Sequence, residues 1–105
     1  MIFLETPNFT GRILELLSDE EYGHLQTTLL KQPDLGDIIP GSGGLRKLRW
    51  ASSGRGKRGG ARIIYYWAAM PDQIVMLAAY AKNRKTDLTP SEIKPLRRII
   101  EEEYK

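Results

Sequence analysis

The chain predicts an α+β fold, a mostly antiparallel sheet with an N-terminal helical hairpin and a C-terminal helix. Three observations predict it: two early stretches with apolar residues at helical spacing, three closely spaced apolar strand-like runs in the middle, and a capped helical stretch at the end. With 41% apolar and 28% charged side chains in 105 residues, the composition is that of one folded domain, residues 1–105, and not of a disordered chain.

Ile2 to Glu5 reads as a first strand, broken by Pro7 and Asn8. From Thr10 to Leu17, Ile13, Leu14 and Leu17 recur at helical spacing. Ser18 with Glu21 three residues on forms a capping box, which opens a second helix along Tyr22, Leu25 and Leu29 until Gln32-Pro33 ends it. The two helices make a hairpin able to cover one face of a sheet. Turn residues dominate from Pro33 to Gly44. Strands are expected at Leu45 to Ala51, Ala61 to Ala68 and Ile74 to Tyr80.

The last two strands are joined through Met70-Pro71-Asp72, short enough for an antiparallel hairpin. The connection Ser52 to Gly60, SSGRGKRGG, has four glycines and is expected to be a mobile loop. Thr89-Pro90-Ser91-Glu92 reads as a cap, with proline at the first helical position, opening a last helix to Tyr104. Pro95 removes one backbone bond to Ser91, so a kink or a later start is expected. Helices on one face would leave the other face of the sheet exposed.

Charge is distributed unevenly over these elements. Between Asp37 and Asp72 there is no carboxylate, yet Arg46, Lys47, Arg49, Arg55, Lys57, Arg58 and Arg62 fall there, threaded through strand-like LRKLRWA and ARIIYYWA. A folded platform of fixed cations and aromatics suits a polyanion, and RNA binding is the leading reading. The absence of cysteine excludes disulfides, thiolate chemistry and Cys-based metal sites. The start MIFLETPNF has no signal-peptide pattern and no window approaches a membrane span, so a cytoplasmic protein without a membrane partner is expected.

If the platform cuts RNA through the 2′-hydroxyl, that hydroxyl must lose its proton, the phosphate must be neutralised and the leaving oxygen must gain a proton. His24, the only histidine, lies mid-helix and reads as a surface or packing residue. Proton transfer then falls to lysine, arginine, water or the partner. A lysine crowded by arginines gives up its proton more readily, making Lys47 or Lys57 the candidate base. Arg62 with a second arginine suits the phosphate, since a guanidinium binds two phosphoryl oxygens at once.

The run GGLRKLRWASSGRGKRGGARIIYYW, followed after a hairpin by AAYAKNRKTDLTPSE, resembles the RelE superfamily of bacterial toxin–antitoxin toxins, and within it the HigB-like branch. The resemblance covers most of the chain from Ser18 to Ile93. It implies a metal-independent, cofactor-free endoribonuclease that cuts translated mRNA in the ribosomal A site. Its implied partners are the ribosome, the messenger and a neutralising antitoxin, with operator DNA reached only through the toxin–antitoxin complex. Carried over by position, Lys47, Arg49, Arg62 and Lys82 match basic side chains that activate the scissile phosphate, and Lys57 is placed with them. Arg46, Arg55, Arg58, Arg84 and Lys85 are the expected RNA contacts.

One departure concerns the residue after Lys82, where the family pattern continues with arginine and, further on, a stacking tyrosine. Here Asn83 and Thr89 fall near those places, so Arg84 and either Tyr66 or Tyr80 are the substitutes. By strand alternation Tyr65 and Trp67 share a face with Ile63, and Tyr66 shares the other with Arg62, which favours Tyr66 for stacking. The glycine-rich loop does not stand before a helix as a nucleotide-binding motif would, and Glu101 to Glu103 reads as a solvated helix end. A different class remains as the alternative: a non-catalytic basic α+β adaptor that binds nucleic acid or the ribosome by charge.

Overall fold

The computed structural model describes residues 1–51, 60–68, 72–82 and 87–104. Its elements are β1 (Ile2–Glu5), α1 (Pro7–Leu16), α2 (Asp19–Lys31), β2 (Asp37–Ile38), β3 (Arg46–Trp50), β4 (Ala61–Ala68), β5 (Gln73–Ala81) and α3 (Pro90–Glu103). The sheet runs β1-β5-β4-β3-β2, antiparallel except that β1 lies parallel to β5 at one edge. The expected glycine-rich loop falls at 52–59, outside the described residues, as does most of the expected hairpin connection, at 69–71.

Pro7 and Asn8 open α1 instead of preceding it. Thr6 is the cap, its hydroxyl accepting the Phe9 N–H at 3.2 Å, and Pro7 sits where a missing N–H costs nothing. The expected capping boxes of Ser18–Glu21 and Thr89–Glu92 are both closed, each glutamate accepting its cap's N–H at 2.9 Å. Pro95 is accommodated within α3, and the helix still starts at its Thr89 cap.

The helices are divided between the two faces of the sheet, in contrast to the expected single layer. Against one face, Phe9, Ile13, Leu16 and Leu17 with Leu25 and Leu29 of the hairpin pack on Leu48, Ile63, Tyr65, Ile74 and Met76. On the other, Ile93, Leu96, Ile99 and Ile100 of α3 cover Ile64, Val75, Leu77 and Tyr80. The reason is in β4 and β5, where buried residues run almost without interruption, so both faces are apolar and both need cover.

A β-bulge sets which side chains reach which face. β5 pairs Ala78 with Ile64 but Met76 with Tyr65, leaving Leu77 as the extra residue. Ile74 and Met76 face the hairpin, yet beyond the bulge it is Ala79 and Ala81 that do so, and Tyr80 faces α3. Thr6 holds this irregularity: its hydroxyl donates to the Leu77 carbonyl at 3.0 Å, and its N–H donates to the Met76 carbonyl at 3.1 Å.

Candidate RNA phosphate site

The α3 face is apolar where the helix lies and cationic beside it. Strand register places Arg49 of β3 opposite Arg62 of β4, and Arg62 opposite Tyr80 of β5. Lys47, two residues before Arg49, points to the same face by alternation. Lys47, Arg49 and Arg62 thus converge from two neighbouring strands. Lys47 and Arg49 line a cleft of about 360 Å³ whose other walls include Asp37, Ile38, Ile64, Asp87 and Ile93.

Arg62 is the most constrained of the three. It is only 5% exposed, and one Nη donates to the neighbouring Ala61 carbonyl at 3.4 Å. A nearly buried guanidinium is held in one place, which is what a site for a developing charge requires. Arg49 is exposed, and Lys47 is half-buried.

The common neighbour of the three cations is Asp87, a residue that the sequence reading passed over. Its carboxylate forms an ion pair with Lys47 Nζ. The Lys47 hydrogen bond and charge, then the charges of Arg49 and Arg62, hold the Asp87 carboxyl below its ordinary range. Tyr80 shares this environment: burial first, then the Asp87 charge, raises its phenol, while Arg62 pulls the other way. The hydrogen-bonded contact of Lys47 is therefore an anion, set among the cations expected from LRKLR.

Lys82 lies just past β5, exposed, with its N–H donating to the Gly60 carbonyl at 3.1 Å. It follows Tyr80 by two residues, at the end of the sheet where Arg62 stands. The structure thus groups Lys47, Arg49 and Arg62 on one face and sets Lys82 at the end of the sheet where Arg62 stands. Arg55, Lys57, Arg58, Arg84 and Lys85 lie outside the described residues.

Arg46 and Tyr66 are not brought into this group. Arg46 faces the hairpin side opposite Tyr65, and its Nη1 donates to the carbonyls of Gly36 at 2.8 Å and Asp34 at 3.2 Å. Tyr66 shares the face of Arg62 but lies four residues along β4, about 13 Å at strand spacing. Its ring packs in the α3 cluster and closes on Gly44, where a Cβ would sit 3.2 Å from the ring and the backbone has φ +105°. Tyr80, across from Arg62, is the tyrosine beside the cations. Alternation along β4 could not show this, because the bulge in β5 decides it.

A family model described as the RelE toxin of the RelE/RelB toxin–antitoxin system matches residues 32–104. The chain belongs to the RelE toxin family. The matched span contains β2 to β5 and α3, and so every described cation of the group. Among solved structures, a free-state mutant of E. coli toxin RelE matches with a TM-score of 0.60 at 14% identity, over 93% of this chain and 96% of that one. At that identity the likeness concerns the fold: helices around a five-stranded sheet in the same arrangement. No helix among the described residues is long and apolar enough to cross a membrane.

Proposed function

We propose that this RelE-family protein is a ribosome-dependent mRNA endonuclease of the HigB-like branch, acting in the cytoplasm and neutralised by a cognate antitoxin. The observation that carries the reading is the convergence of Lys47, Arg49 and Arg62 from adjacent strands around the Asp87 carboxylate, which pairs with Lys47, beside a cleft. Fixed cations that gather one carboxylate oxygen pair are suited to a phosphodiester, which has the same charge and accepts the same donors.

In this reading Arg62 and Arg49 grip the non-bridging oxygens, and the near-buried Arg62 adds most in the pentacoordinate state, where charge on those oxygens is greatest. Lys47 and Lys82 serve proton transfer and the leaving oxygen, with Lys57 as a further candidate. Tyr80 bounds the site from β5. Arg55, Arg58, Arg84 and Lys85 attract the RNA backbone by charge, and Tyr66 and Arg46 act on more distant nucleotides.

A cationic patch on a small sheet does not by itself align the 2′-hydroxyl with the leaving oxygen, which is the reason for assigning that task to the ribosome. The antitoxin then has two ways to act: acidic side chains over the cations, or an apolar segment that takes the place of Ile93, Leu96 and Ile100 on the sheet. Charge matching would make the association rate fall with salt, and the second mode would not.

Inducible expression with primer extension on a translated messenger tests the proposal. Cuts are expected only while the messenger is translated. Codon-phased cutting of naked RNA by the pure protein would overturn the ribosome requirement, and intact messenger at arrested growth would favour a binding protein without catalysis.

A further inference from the structure

Asp87 stands where a ligand would. It forms an ion pair with Lys47, its side chain is 69% exposed, and it arrives from the short segment ahead of the Thr89 cap and not from the sheet that carries the cations. Lys47, by contrast, is 21% exposed and comes from an interior strand flanked by β2 and β4. The rigid partner is the cation and the loosely held partner is the anion. Arg49 and Arg62 face each other in register, an arrangement of like charges that costs stability unless an anion lies near.

We propose that Asp87 is a built-in competitor for the phosphate site: in the free protein its carboxylate fills the anion position before Lys47, Arg49 and Arg62, and RNA binds by displacing it. The inference rests on the phosphate-site reading above and adds its regulation. Two anions cannot share this place, since each carries a full negative charge, and Asp87 already takes the Lys47 Nζ that a phosphate oxygen would need. An exposed ion pair is weak, so displacement is inexpensive, whereas a phosphodiester brings more acceptor oxygens and releases counterions. The occupied state also lowers the attraction of the free toxin for RNA in general, so that a correctly presented messenger is favoured over a chance encounter.

Among the described residues, the charged and titratable groups around Asp87 are Lys47, Arg49 and Arg62 on the sheet, Asp37 across the cleft, and Tyr80 with Glu92 on the side of α3. Three variants separate displacement from net charge. Asp87→Asn removes the competing charge, Asp87→Glu keeps it, and Asp72→Asn makes the same change of charge at the other end of the sheet, beside the N-terminus.

Binding is measured by fluorescence anisotropy with a labelled 2′-O-methyl RNA octamer, which cannot be cut, without ribosomes, alongside thermal melting of each variant. Asp87→Asn is expected to bind about fivefold tighter than the wild type, the scale of losing one exposed ion-pair competitor. Asp87→Glu should stay within about twofold of the wild type, and Asp72→Asn likewise. Unchanged or weaker binding by folded Asp87→Asn overturns the proposal, as does an equal gain in Asp72→Asn. Because the octamer reports binding alone, a gain in Asp87→Asn with no cutting of translated messenger by the wild type would leave the competitor standing and sink the nuclease reading. Cutting by the wild type with no gain in Asp87→Asn would do the reverse.

Discussion

The two faces of the sheet meet different physical demands with the same alternating strands. On the hairpin face the contacts are nearly all apolar, and the buried Tyr65 hydroxyl is bonded twice: it donates to the Pro33 carbonyl at 2.7 Å and accepts the Gly36 N–H at 2.8 Å. That face admits no side chain at Gly36, where a Cβ would lie 2.8 Å from the Tyr65 ring. On the α3 face a single helix covers Ile64, Val75, Leu77 and Tyr80, and beside that cover lie Lys47, Arg49 and Arg62. One face is closed by packing; the other keeps a cleft beside its core, so the proposed site lies where a helix ends its cover and not where the core is weakest.

The largest effect expected from this contrast is on the hairpin face. Phe9→Ala removes a fully buried ring that packs against Tyr22 at a centroid distance of 5.8 Å. It should lower unfolding free energy by about 3–5 kcal/mol in urea titration, with cleavage per folded molecule unchanged. A fall in turnover without a fall in stability would break the division between the faces.

Arg62→Gln should show the opposite pattern. Losing a positioned donor to the phosphate is expected to reduce cleavage on translated messenger by about 10²-fold, roughly 3 kcal/mol of transition-state stabilisation, while RNA binding changes far less. Lys82→Ala, at an exposed position, should reduce cleavage in the same direction without moving the melting temperature. Full toxicity of both variants at equal expression would mean that the site lies elsewhere.

Two smaller changes sharpen the comparison. Tyr65→Phe strands the Gly36 N–H and the Pro33 carbonyl and should cost about 1–3 kcal/mol, read as a lower urea midpoint with the phosphate site intact. Thr89→Ala opens the α3 cap and should cost about 1 kcal/mol, seen as faster amide exchange in α3 than in α1. Equal acceleration in both helices would mean that the faces unfold as one unit.

The pH dependence at high pH has the smallest effect near neutrality. Burial first, with the Glu5 hydrogen bond second for Tyr22, raises the phenols of Tyr22, Tyr65 and Tyr80. Folding therefore favours their neutral forms, and the stability they contribute is complete below the ordinary tyrosine range and is lost as pH rises beyond it. Melting temperature should fall above about pH 10, and Tyr22→Phe should flatten that fall. An unchanged alkaline limb in Tyr22→Phe would remove Tyr22 from the account.

Local chemistry made much of the fold readable. Ser18–Glu21 and Thr89–Glu92 announce helix starts because both partners of each capping box lie within one turn, and ARIIYYWA and Ile74 to Tyr80 announce strands because each carries its own apolar pattern. Pro7 was harder, since a proline both ends strands and begins helices, and only the Thr6 hydroxyl on the Phe9 N–H resolves the choice. The two-residue strand β2 has too little sequence to carry a period at all.

For the candidate site the division is sharper. The cations of β3 and β4 were legible by themselves, because a stretch with seven Lys and Arg and no carboxylate needs no partner to be noticed. Their shared face followed from strand alternation. Asp87 was not legible, since its pairing with Lys47 spans 40 residues of chain and exists only once α3 has docked. Nor was the place of Tyr80, because one extra residue at Leu77 reverses the alternation of β5 beyond it. Sequence by itself determined which elements form and which segment is basic, for these depend on neighbours along the chain. Tertiary structure decided that α3 covers the second face, that Arg46 turns away, and that Asp87 and Tyr80 join the cations, because register, bulges and helix docking are set by contacts between residues that the chain keeps far apart.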